Sequence, residues 1–88
     1  MNTKGGSGLP TVNEIYLRLR VVRSGRILEC LLDKRRSFRE NLAAIGELEG
    51  RDDLKDLKVY DPRKHLFLNT SCPLRDFGAL PSETFFLY

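Results

Sequence analysis

The residues best suited to chemistry in this chain are Cys30 and Cys72, the single histidine His65, and the carboxylates of Asp52, Asp53 and Asp56. A thiolate with an imidazole base makes a nucleophilic pair, and Cys72 and His65 stand seven residues apart. Cys72 precedes a proline in loop-like sequence, however, and nothing near it supplies the donors of an oxyanion hole. A zinc site needs a second histidine or closely spaced cysteines, and the sequence has neither. The aspartates are interleaved with Arg51 and Lys55, the pattern of a solvated connection. Gly5-Gly6-Ser7-Gly8 is glycine-rich, yet it follows no strand and lacks the lysine and hydroxyl that complete a phosphate loop. These residues read as a non-enzyme with no cofactor, no metal and no small-molecule substrate. What remains is recognition chemistry, carried by aromatic rings beside cations: Tyr16, Arg18, Arg20, Lys58, Tyr60, Phe86 and Tyr88.

Regular elements must position that set. Ser37 followed by Glu40 is a capping box, in which the serine oxygen takes an orphan amide of the first helical turn and the glutamate reaches back to the serine amide. Phe38, Leu42, Ile45 and Leu48 then fall at helical spacing and predict one apolar stripe, with Arg39, Asn41, Glu47 and Glu49 on the wet side. Gly50 closes the helix in the left-handed conformation. So narrow a stripe needs a sheet to bury it. Ile15, Leu17, Leu19 and Val21 alternate with Tyr16, Arg18 and Arg20, the period of a strand with one face buried. Ser24-Gly25 turns the chain, and Leu28, Cys30 and Leu32 continue the buried face on a second strand that is apolar on its other face as well, at Ile27 and Leu31. After a charged connection at 51–55, Leu57 to Tyr60 reads as a third strand and Asp61-Pro62 as a turn. Leu66 to Leu68 reads as a short strand, Leu74 to Gly78 as one helical turn, and Thr84 to Tyr88 as the last strand.

The 88 residues make one domain, with residues 1–13 a flexible tail rich in glycine and residues 14–88 the folded part. No apolar run approaches the ~18 residues of a membrane span. Two cysteines and no leader pattern suit a reducing compartment, so the expected location is cytoplasmic. The net charge is +3, but residues 1–39 carry nine Lys or Arg against three acids, and residues 40–88 carry six against nine. That asymmetry can orient a partner.

Strand, strand, helix, strand, short strand, strand is the order of an α+β, ubiquitin-like β-grasp: a mixed four- to five-stranded sheet with one helix packed across it. The end of the chain carries the resemblance. In LRDFGALPSETFFLY, Leu74 opens the short turn, Asp76 and Phe77 follow, and Phe85 enters the last strand eleven residues after the leucine, as in ubiquitin-like proteins. Within that superfamily, KVYDPRKHLFLNTSCPLRDFG, with Cys72 two residues before Leu74 and Asp76-x-Gly78 after it, is similar to the bacterial YukD/EsaB family of type VII (WXG100) secretion systems. The N-terminal hairpin matches in pattern only. One departure bears on function: ubiquitin itself carries a flexible tail ending in Gly-Gly, whereas this sequence ends on Phe85-Phe86-Leu87-Tyr88, so conjugation is not expected.

Alternation then places the recognition set. With Phe85, Leu87 and Val59 inward, the residues Phe86, Tyr88, Tyr60 and Lys58 face out, beside Tyr16, Arg18 and Arg20 of the first strand. Aromatics fringed by cations are enriched at protein interfaces. The resemblance implies an accessory or adaptor component of a type VII secretion system that holds a secretion ATPase or membrane component through this face, with the membrane involved only indirectly. Two alternatives stand beside it. One is the cytosolic ubiquitin-like domain of a larger membrane secretion subunit. The other is a weak nucleic-acid-binding module using Arg18, Arg20, Arg23, Arg26 and Lys34 to Arg36. Ile27 and Leu31 leave a homodimer open.

Overall fold

A computed structural model describes residues 12–88, and the expected tail lies outside the described residues except for Val12 and Asn13. Asn13 is already tied in, because its carbonyl accepts the Lys34 amide at 2.7 Å. Strands β1 (Glu14–Val21) and β2 (Arg26–Asp33) form the antiparallel hairpin, turned by Gly25 at φ 73°. Helix α1 (Phe38–Glu49) follows. Strands β3 (Val59–Asp61), β4 (Leu66–Phe67) and β5 (Thr84–Leu87) complete a five-stranded sheet of order β2-β1-β5-β3-β4, with the first and last strands parallel at its centre. This is the ubiquitin-like β-grasp arrangement.

The local signals at the helix act as their chemistry requires. Ser37 Oγ accepts the Glu40 amide at 3.1 Å, Glu40 Oε1 accepts the Ser37 amide at 3.1 Å, and Gly50 is left-handed. The core lies between α1 and one face of the sheet: Leu17, Leu19, Val21, Leu32, Phe38, Leu42, Val59, Phe85 and Leu87 are sealed from solvent. Phe38 packs edge-on to Phe85 with centroids 5.4 Å apart, so the first turn of the helix meets the central strand. The Leu74–Phe77 turn is helical and ends at left-handed Gly78, as its sequence implies.

Two residues of the helix depart from the periodicity reading. Leu48 is not part of the buried stripe; it is 88 % exposed. Asn41, expected on the wet side, is buried. Its Oδ1 accepts the Asp33 amide at 2.9 Å, and its Nδ2 donates to the carbonyls of Asp33 at 3.0 Å and Ser37 at 2.9 Å. The buried face of α1 is therefore rotated toward the end of β2, and hydrogen bonds rather than apolar contact anchor that side. The charged connection also contains structure: Leu54–Asp56 forms a 3₁₀ turn that seals Leu54 into the core. At Gly46 a side chain would meet the Arg51 carbonyl oxygen, so the chain leaving α1 folds back tightly over the helix end.

Candidate protein-binding face

Strand pleating sends successive side chains to opposite faces, and the sheet carries α1 on one of them. On the other face the register aligns one row across all five strands. Ile27 pairs with Arg20, Arg20 with Phe86, Phe86 with Tyr60, and Tyr60 with Phe67. The rings in this row touch. Tyr60 stacks on Phe86 at a centroid distance of 6.4 Å and meets Phe67 edge-on at 5.1 Å. Tyr88 closes the cluster at 6.2 Å from Tyr60 and 5.7 Å from Phe67. Lys58 lies beside Tyr88, with which it exchanges two backbone hydrogen bonds of 2.8 and 2.9 Å.

Tyr16 and Arg18 share this face but not the cluster. The Tyr16 hydroxyl donates to Glu29 Oε1 at 3.0 Å, and Arg18 Nε lies 3.9 Å from Glu29 Oε2. The hydrogen bond to that carboxylate raises the Tyr16 phenol above its ordinary value near 10. The seven residues expected on the face thus divide into a ring cluster with two cations, Tyr60, Phe86, Tyr88, Arg20 and Lys58, and a separate pair, Tyr16 and Arg18, that meets at Glu29.

Phe67 was absent from the expected set, and it is a full member of the cluster at 53 % exposure. The signal was available: Leu68 is buried, and alternation from it turns Phe67 outward. Ile27 and Leu31 are exposed on the outer side of the edge strand β2, as its two-faced apolar pattern implies.

The basic residues of the hairpin do not form one stripe. Arg18 and Arg20 face outward, while Arg26 opposes buried Val21 and reaches Glu49 of α1 at 2.6 Å. Arg35 chelates Asp33, with Nε 3.1 Å from Oδ1 and Nη2 3.0 Å from Oδ2. That pairing lowers the Asp33 carboxyl to about 2. Both thiols are free, and burial pushes the Cys30 thiol up, away from the reactive thiolate. A cavity of about 140 Å³ lies apart from the ring cluster, lined by Ile15, Lys34, Leu74, Arg75, Gly78 and Ala79. Among the described residues no helix is long and apolar enough to cross a membrane, and no group of three or more potential ligands is placed to hold a metal.

No protein-family model matches this sequence, and no curated protein matches it. Solved structures do. A protein designed de novo on the basis of ubiquitin superposes with a TM-score of 0.68 at 19 % identity, over 89 % of this chain and 90 % of the other. The C-terminal ubiquitin-like domain of mouse tubulin-specific chaperone e superposes with a TM-score of 0.64 at 16 % identity, over 93 % of this chain and 92 % of that domain. At such identities the likeness defines the fold alone: a ubiquitin-like fold over nearly the whole chain.

Proposed function

We propose that this chain is a non-enzymatic protein-interaction module serving as an accessory or adaptor component of a bacterial type VII secretion system, and that it engages its partner through the outer sheet face. The observation that carries the reading is the four-ring cluster on the sheet face opposite α1, over which none of the described helices lies. Phe67 and Tyr88 are exposed and Tyr60 and Phe86 half-buried, and aromatics held in mutual contact are rigid anchors that lose little conformational freedom on binding, which suits a hot spot. The sequence resemblance to the YukD/EsaB family supports the cellular setting. The run that carries this resemblance, residues 58–78, is also the run that supplies Lys58, Tyr60 and Phe67 to the face.

The test is affinity capture from cells of the source organism, with the wild-type domain beside a Tyr60→Ala, Phe86→Ser, Tyr88→Ala variant and mass spectrometry as readout. Secretion-system components retained by the wild type alone are expected. Recovery of only nucleic-acid-associated material, equal for both proteins and removed by salt, would overturn the reading.

A further inference from the structure

The charges around the ring cluster indicate what kind of chain it receives. Seven arginines, at 18, 26, 35, 36, 39, 51 and 63, lie within ion-pair distance of a carboxylate of this same molecule. Among the described residues Arg20, Arg23 and Arg75 make no such pair, and of these Arg20 stands next to Phe86 in the row that crosses the sheet; Lys58, beside Tyr88, makes none either. Arg20 and Lys58 are both exposed. The acids on this face are remote from the rings. Glu29 sits on β2 and is engaged by Tyr16 and Arg18, and Glu14 stands at the opposite end of β1 from Arg20. On the ring-bearing strands, Asp61 is buried and accepts the amides of Arg63 and Lys64 at 2.8 and 3.2 Å. The rings are thus flanked by two cations that make no ion pair among the described residues.

Resting on the reading of this face as the partner site, we propose that the occupant is an acidic segment of a partner protein: an aliphatic or aromatic anchor seated on Tyr60, Phe67, Phe86 and Tyr88, with carboxylates beside it that pair with Arg20 and Lys58. Adjacent strands lie about 4.8 Å apart, so Arg20 and the Tyr60 ring are separated by two strand spacings, about 10 Å. One extended or helical segment spans that distance within a few residues. An apolar ligand without acids would leave the two cations beside a desolvated interface with no counter-charge, which lowers affinity. A basic ligand would be repelled.

A random-peptide display library selected on the wild-type domain tests this, with recovered peptides measured by fluorescence anisotropy against two variants. One is Arg20→Glu/Lys58→Glu; the other is Tyr60→Ala/Phe86→Ser. Thermal melts of both variants establish that they are folded. Recovered peptides should place acidic residues beside an aromatic or aliphatic one. They should lose about tenfold or more in affinity for the charge-reversed variant, and weaken with salt on the wild type. Peptides that need the rings but carry no acidic enrichment, and bind the charge-reversed variant equally, would overturn the acidic occupant while leaving the face as the site. Peptides indifferent to the ring variant would overturn the face itself, and this inference with it.

Discussion

The two faces of this sheet carry similar residues to opposite ends. Toward α1, Leu17, Leu19, Val59, Phe85 and Leu87 are sealed completely. Away from it, Tyr60, Phe67, Phe86 and Tyr88 are as large and as closely packed on one another, yet no layer of the described chain covers them. Neighbours in sequence, such as Phe85 and Phe86, differ only in pleat direction. Apolar character does not by itself make a core; a second layer does. Rings that no second layer of the described residues covers leave apolar area facing solvent.

Substituting those neighbours breaks the comparison open most sharply. Phe85→Ala empties a site against Phe38 and should cost about 3–5 kcal/mol, much of the stability of a domain this small. Phe86→Ala loses ring contact on an open face and should cost less than about 1.5 kcal/mol. Urea denaturation of both variants reads the difference. Equal losses would mean that the outer rings are a second core.

The helix offers the same contrast in polar form. Asn41→Ala should cost about 1–3 kcal/mol, because it strands the Asp33 amide and carbonyl that its carboxamide satisfies. Leu48→Gln, at an exposed position, should change stability by no more than about 0.5 kcal/mol. Melting temperatures of the two variants test whether the buried side of α1 runs through the asparagine and not the leucine.

The smallest expected effect concerns pH. The Asp33 carboxyl is held at about 2 in the fold, below its ordinary value of 3.8. A depressed carboxyl stabilises the fold above the unfolded value, and its contribution is lost as pH falls from about 4 toward 2. Asp33→Asn should therefore be less stable than the wild type at neutral pH and converge with it in that acid window. A constant difference across the window in melting-temperature profiles would show that Asp33 acts through something other than its charge.

Interactions closed within a few residues were legible in the sequence. The capping box needs only Ser37 and Glu40, the left-handed helix end only Gly50, and strand alternation only the period of the chain, so the helix, the hairpin and the outward set of rings could be read directly. Contacts closed across distance were not legible. Asn41 looks like a solvated residue until β2 ends beside it, and Leu54 looks like part of a charged connection until a 3₁₀ turn presses it into the core. Gly46 looks like an ordinary helical position until the returning chain places the Arg51 carbonyl against it. Arg20 and Lys58 could be assigned a face from alternation. That they have no carboxylate partner there, while Arg18 and Arg26 each meet one, depends on where Glu29 and Glu49 arrive in space. Local sequence determined the elements and the direction of their side chains, because backbone geometry is a short-range constraint. Tertiary structure decided which polar groups found partners, because that depends on residues far apart in the chain.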